Sequence, residues 1–338
     1  MTHRRALPAV LALLLVLGLA ACGERDEPAG VRAQTERVDL VLDYFPNADH
    51  AGIYNAIGEG EFKRVGLDVK PRTPSDPSAP LKLLDSGRAD LAISYEPELL
   101  LARAKGAKVV AIGALVQKPL TSIISLGDDA VSEPGQLEDK KVGTSGIPYQ
   151  DAYLKTIVAK AGIDPDRVRR INVGFGLVGS MLTKKVDATL GAFWNVEGVD
   201  LERRGRKPRI LRMEQLGVPT YNELIVIARE QDVRKRGPLL RRFMRGLALG
   251  HQGLRDDIDG AVGELVKANP SLDRKLQRAQ VKATLPVFFP RGKDKPFGFQ
   301  DPEAWRAYTK WMLDNDLLAN PVGASRAFTN EFLPGEGI

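Results

Sequence analysis

Leu91-Ala92-Ile93-Ser94-Tyr95-Glu96-Pro97-Glu98-Leu99-Leu100-Leu101-Ala102-Arg103-Ala104 contains a strand, a polar break and a helix in one short run. Leu91–Ser94 reads as a strand, Ser94–Glu98 as the break, and Glu98–Ala104 as the helix. The same alternation extends in both directions. Upstream, Val38–Leu42 reads as a strand, Ile53–Glu61 as a helix, Gly66–Val69 as a turn into a second strand and Leu81–Leu84 as a short helix; downstream, Val109–Ile112 is a further strand. Strands alternating with helices predict an α/β sheet covered by helices on both faces.

The pattern then restarts. Ile123–Leu126 and Lys141–Gly143 read as strands around a polar connection, Tyr149–Ala161 as a helix, Arg169–Val173 as a strand, Ser180–Lys185 as a short helix and Ala188–Phe193 as a strand. Glu223–Ala228 is an apolar strand able to carry the chain back. Beyond it come helices over 234–252, 258–269, 272–282 and 302–315, the last behind an Asp301 N-cap. The two halves echo each other. Leu84–Asp90, an apolar strand and Tyr95 resemble Leu182–Asp187, an apolar strand and Phe193-Trp194. Ligands in open α/β sheets sit at strand carboxyl ends, so two such ends suggest two lobes facing one cleft.

Composition narrows the chemistry. The 338 residues are 43% hydrophobic and 27% charged, which suits a globular chain with room for two cores. One cysteine excludes a disulfide framework and Cys-based metal centres, and three scattered histidines exclude a His-rich one, so no metal is expected. The net charge of +6 is well mixed along the chain and aromatics are only 6%, so no nucleic-acid partner is expected.

The cysteine has a reading of its own. His3-Arg4-Arg5 is a basic start, 6–21 is apolar but short for a membrane span, and Leu19-Ala20-Ala21-Cys22 resembles a bacterial lipobox. Residues 1–21 are therefore expected to be a signal peptide, Cys22 the lipidation site and 22–37 a polar tether. The mature chain would be exported and lipid-anchored to the outer face of the cytoplasmic membrane.

Gly174-Phe175-Gly176-Leu177-Val178-Gly179 matches the dinucleotide spacing, with Glu197 downstream. The following helix is only about two turns long and Phe175 puts a bulky ring in the phosphate turn, so a loop lining a cleft is the better reading and no cofactor is expected. Phosphate-loop, serine-hydrolase and zinc-protease motifs are absent. Catalysis by histidine comes down to His50, because His3 lies in the signal and His251 in a helical stretch, as a surface or packing residue.

The strand ends hold polar and aromatic residues where a core would hold aliphatic ones. These are Asp43–His50, Ser94–Glu98, Gly143–Tyr149 and Phe193–Gly198. With Phe175 of the glycine-rich loop, they offer Tyr44, Tyr95, Tyr149 and Trp194 as flat faces, and Glu96, Glu98 and Glu197 as acceptors. A flat, nitrogen-rich heterocycle suits such a set: rings cover its faces and a carboxylate accepts from its exocyclic amine.

Three runs carry a family resemblance: Leu42-Asp43-Tyr44-Phe45-Pro46-Asn47-Ala48-Asp49-His50-Ala51-Gly52-Ile53-Tyr54, Ile93–Ala104, and Gly191-Ala192-Phe193-Trp194-Asn195-Val196-Glu197-Gly198. Over about 38–330 the chain resembles the SsuA/THI5-like (NMT1) solute-binding proteins, especially binders of thiamine pyrimidine precursors. The resemblance implies a type II periplasmic binding protein fold: two α/β lobes joined by two crossover strands, with a ligand between them. Lobe one would hold 38–122 and 229–338, and lobe two 123–228. It implies a monomer that delivers its ligand to an ABC permease driven by an ATPase. Tyr44 and Trp194 would stack on the ligand and Glu197 would accept from its amine. Asn47, Tyr95 and Glu96 would line the pocket, with His50, Ser145, Tyr149, Phe175 and Asn195 completing the candidate set. Position 44 holds Tyr where many pyrimidine binders are expected to hold Trp. Family relatives serve riboflavin, nitrate or sulfonate uptake. Riboflavin remains a rival, whereas three acids near the cleft disfavour an anion. The family also includes fungal pyrimidine synthases that consume an active-site histidine and use a Cys-rich motif. His50 keeps that reading open, and the lack of a second cysteine speaks against it.

Overall fold

Ten strands form and sort into two sheets in the computed structural model, which describes residues 35–289 and 295–335. The expected signal peptide, Cys22 and most of the tether lie outside the described residues. The first sheet contains β1 (Glu36–Val41), β2 (Leu67–Arg72), β3 (Leu91–Ser94), β4 (Val109–Val116) and β10 (Leu224–Arg229), in the order β2-β1-β3-β10-β4. The second contains β5 (Thr121–Ser125), β6 (Lys141–Thr144), β7 (Arg169–Asn172), β8 (Ala188–Phe193) and β9 (Arg209–Arg212), in the order β7-β6-β8-β5-β9.

The two orders are the same pattern. In each sheet the first three strands run parallel, and a fourth, arriving from the other lobe, inserts antiparallel beside the third. β10 is that strand in the first sheet and β5 in the second. The chain crosses between sheets at 117–120 and 213–223, giving two α/β lobes and the cleft of a type II binding protein. One boundary moves. Residues 224–228, expected in lobe two, pair with β3 and β4 and belong to the first sheet. The run Leu224–Ala228 is wholly buried, as a strand between two neighbours must be.

The internal echo is structural. Asp90, just before β3, accepts the Asp39 amide at 2.9 Å, and Asp187, just before β8, accepts the Lys141 amide at 2.7 Å. Each aspartate therefore fastens the start of the third strand to the first strand of its sheet.

In the first lobe the helices are α1 (Ala51–Gly58), α2 (Glu61–Arg64), α3 (Ala79–Asp85) and α4 (Glu96–Ala104); the second lobe has α5 (Pro148–Lys160), α6 (Leu177–Leu182) and α7 (Val199–Arg203). The C-terminal helices α8 (Glu230–Lys235), α9 (Gly237–Asp256), α10 (Ile258–Ala268), α11 (Arg274–Phe288) and α12 (Pro302–Asp314) follow β10. α4 starts two residues before its expected position, with Pro97 in its first turn, where a missing N–H costs nothing. The helix expected over 234–252 breaks at Arg236, and Pro238 opens α9. α9 buries Leu239, Leu240, Phe243, Met244, Leu247 and Leu254, a stripe at helical spacing. His251 belongs to that buried face and packs on Phe288 and Phe297. Burial lowers its pKa to about 4, so it packs as a neutral ring. Asp301 caps α12 by accepting the Glu303 amide. No helix among the described residues is long and apolar enough to cross a membrane.

Candidate functional site

β1, β3, β6 and β8 all point their carboxyl ends into the gap between the lobes, where a cavity opens. The first lobe contributes Asp43, Tyr44, Asn47 and Tyr95 to its wall. The second contributes Ser145, Ile147, Gln150, Leu177, Gly191, Phe193, Val196 and Glu197.

Asp43 organises the first-lobe wall. It is buried, and its two oxygens are held from opposite sides: His50 Nε2 lies 2.9 Å from Oδ1, and the Tyr95 hydroxyl donates to Oδ2 at 2.8 Å. His50 Nδ1 accepts the Asn47 amide at 3.3 Å, which leaves the ring proton on Nε2, facing the carboxylate. The Asn47 side chain accepts the Asp49 amide, so Asn47 and His50 cap the turn Ala48–His50 reciprocally. Burial, then the charge of Asp43, push the Tyr95 hydroxyl well above its usual range, so it stays a donor. Tyr44 is pushed the same way by burial and then by Glu197 and Asp43. Its hydroxyl donates across the cleft to the Phe175 carbonyl at 2.9 Å.

Glu197 is the acid of the second-lobe wall. It sits in a π-helical turn, Trp194–Gly198, a form that recurs at functional sites. Its Oε2 accepts the Phe193 amide at 2.7 Å. Burial, with the charges of Asp49 and Asp200, raises its pKa to about 7, so it can act as acceptor or donor near neutrality. Behind it, Gln150 Oε1 accepts the Ser145 amide at 2.8 Å. Gln150 also packs on Gly191, whose φ of +111° and lack of a Cβ admit the amide: a Cβ there would lie 2.4 Å from Gln150 Nε2.

Of the residues singled out from sequence, Tyr44, Asn47, Tyr95, Ser145 and Glu197 reach the cavity wall. His50 stands one layer back, behind Asp43. Tyr149 is buried behind Tyr95, ring centroids 5.6 Å apart, with its hydroxyl 3.3 Å from Thr121. Phe175 closes the mouth against Tyr44 and Phe45, at 4.6 and 4.2 Å between centroids. Glu96 is turned inward and accepts both the backbone and side-chain N–H of Asn222; burial raises it to about 8. Asn195 is buried against Asp49 and Thr284. Trp194 faces away: its indole donates to the Pro119 carbonyl at 3.0 Å, and the Arg212 guanidinium lies 4.0 Å from its ring. Phe193 takes the place on the wall expected of Trp194, because successive residues at the end of β8 point to opposite faces. Asp43, Ile147, Gln150, Leu177, Gly191 and Val196 also line the wall, outside the set read from sequence. Only Asp43 carried a usable signal, as an acid directly following a buried strand. Among the described residues no three His, Cys, Asp or Glu side chains cluster in a way that could hold a metal.

The NMT1/THI5-like family model matches residues 47–259. A formylaminopyrimidine-binding protein of Halalkalibacterium halodurans is 33% identical over 94% of this chain and 96% of its own length. A 4-amino-5-hydroxymethyl-2-methylpyrimidine phosphate synthase of Legionella pneumophila is 26% identical over 88% of this chain and 92% of its own. Among solved structures, the alkanesulfonate-binding protein SsuA of Xanthomonas axonopodis pv. citri, bound to MOPS, superposes with a TM-score of 0.68. It is 17% identical and covers 88% of this chain and 99% of its own.

Proposed function

The chain belongs to the NMT1/THI5-like family, and from that premise we propose that it is the solute-binding component of an ABC importer for a thiamine pyrimidine precursor of the hydroxymethyl- or formylaminopyrimidine type. One observation carries the reading: Asp43 from the first lobe and Glu197 from the second line one small cavity with Tyr44, Tyr95 and Phe193. An aminopyrimidine presents N–H donors to such acids and a flat face to such rings. Recognition is non-covalent, by closure of the lobes over the ring. The similarity to a formylaminopyrimidine-binding protein along nearly the whole chain supports the same ligand class.

The position of His50 weighs against a synthase that consumes this histidine, since Asp43 stands between it and the cavity wall. The reading is completed by an exported chain with residues 1–21 removed, lipid on Cys22 and a tether from 22 to the start of β1 at Glu36. It includes a monomer that hands its ligand to a permease and its ATPase.

Titration calorimetry of the mature chain with 4-amino-5-hydroxymethyl-2-methylpyrimidine, its formylated relative, thiamine and riboflavin tests the ligand class. Binding of neither aminopyrimidine would sink it. Glu197→Gln should weaken aminopyrimidine binding by about 1.5–3 kcal/mol, the value of a hydrogen bond to a charged group. Labelling cells with radioactive palmitate should mark the wild-type chain and not Cys22→Ser.

A further inference from the structure

Four buried side chains outside the cavity wall tie the two lobes together. Asn195 Nδ2, from the turn that also carries Val196 and Glu197, lies 2.6 Å from Asp49 Oδ1 and 2.6 Å from Thr284 Oγ1. Asp49 follows β1 in the first lobe and Thr284 is on α11. One helical turn earlier, Gln280 Nε2 donates to the Val196 carbonyl at 2.9 Å. The 194–198 turn therefore shows Val196 and Glu197 to the cavity and gives its Asn195 amide and Val196 carbonyl to the opposite lobe.

We propose that Asp49, Asn195, Thr284 and Gln280 form a latch that stabilises the closed arrangement of the lobes and sets the rate at which ligand leaves. The proposal rests on the binding-protein reading above and assigns Asn195 a positioning role rather than a ligand contact. These bonds join parts that separate when the lobes open, and on opening water takes each partner. In the closed form they are screened from water, where a hydrogen bond is electrostatically stronger. The latch is also incomplete. Asp49 Oδ2, Asn195 Oδ1 and Gln280 Oε1 are buried with no partner among the described residues. Leaving three oxygens unpaired offsets part of the gain, and a latch of that kind holds without locking. A protein that has to reopen to release its cargo needs that balance.

The test uses the mature chain with Asn195→Ala, Thr284→Val, Gln280→Leu and, as the conservative control, Thr284→Ser. Stopped-flow with 4-amino-5-hydroxymethyl-2-methylpyrimidine should show dissociation faster by roughly 10- to 100-fold in Asn195→Ala, as expected when a buried acceptor loses its donor. Association should change by less than about threefold, because interface changes act mainly on dissociation. Thr284→Val should follow in the same direction, and Thr284→Ser should stay near wild type. Electron-spin distance measurements between labels on the two lobes, without ligand, should show a smaller closed fraction in Asn195→Ala. Dissociation rates within about twofold of wild type in both Asn195→Ala and Thr284→Val would overturn the latch. If neither pyrimidine binds the wild type, the ligand assignment fails and the spin distances decide the latch alone: an undiminished closed fraction overturns it. Thr284→Val is nearly isosteric and keeps the test readable should Asn195→Ala fold poorly.

Discussion

Glu223 is fully buried where the chain returns to the first sheet, and it holds both connections between the lobes. Its Oε2 accepts the amides of Leu120 at 2.7 Å and Thr121 at 2.8 Å and the Tyr221 hydroxyl at 3.1 Å; Oε1 accepts the Thr121 hydroxyl at 2.9 Å. Leucine has a similar volume and no acceptor. In Glu223→Leu the hydroxyls can turn to other partners, as Thr121 and Tyr149 already lie 3.3 Å apart. The two amides cannot turn. At about 1–3 kcal/mol for each stranded buried donor, the gross cost is roughly 2–6 kcal/mol. Removing a buried carboxyl offsets part of it, because burial already raises Glu223 to about 7 and makes its ionised form costly. A net loss of about 2–4 kcal/mol follows, out of the 5–15 typical of a folded protein. Glu223→Gln keeps an oxygen for the amides and can donate its N–H to the Thr121 hydroxyl, so it should lose less than about 1 kcal/mol. Urea unfolding followed by circular dichroism measures both. A loss below about 1 kcal/mol in Glu223→Leu, or an equal loss in Glu223→Gln, would refute the claim that stranded amides set the cost.

Further outcomes follow from the same geometry. Burial raises Asp49, Glu98, Glu197 and Glu223 to about 7 and Glu96 to about 8, while in the unfolded chain such groups titrate near 4. The folded form thus holds more protons between about pH 4.5 and 8, and stability falls as pH rises through that window. Melting scans should find a higher Tm near pH 5.5 than at pH 8; a profile rising toward pH 8 would contradict the assignment. Gly191→Ala should fold less stably and bind aminopyrimidine at least about tenfold more weakly by calorimetry, since its methyl displaces Gln150 from the Ser145 amide. Phe193→Ala should cost more affinity than Trp194→Phe, and the reverse order would return the stacking role to Trp194.

The fold was largely legible because buried strands are written in apolar residues. β3 and β8 have the bounds their runs predict, Leu91–Ser94 and Ala188–Phe193. β9 was not legible. Arg209-Ile210-Leu211-Arg212 is four residues long with an arginine at each end, and it borders the second sheet with both arginines exposed. An edge strand of that kind has no apolar run to announce it, and its charges guard the edge. α7 was missed for a related reason, since only Leu201 of its five residues is buried.

At the site, sequence identifies which loops meet but not which way each side chain turns. Strand carboxyl ends are where ligands bind, so polar and aromatic residues at those ends marked the loops around Tyr44, Tyr95, Ser145 and Glu197. Choosing between Phe193 and Trp194 required the alternation of β8 to be anchored in space, which no count along the chain supplies. The acids show the deeper limit. Glu96, Glu197 and Glu223 are equally conspicuous as letters beside aromatic residues. Glu96 accepts from Asn222, 126 residues away, Glu223 accepts from Leu120, 103 residues away, and only Glu197 reaches the cavity. A buried carboxylate must find donors, and whether they come from a ligand or from a distant stretch of backbone depends on long-range register. Asn195 repeats the lesson with the opposite sign: it sits two residues from Glu197 in one turn, yet it bonds Asp49 and Thr284 of the first lobe. Side chains that line the cavity and side chains that bond the other lobe share one sequence segment here, and only the direction of each separates them.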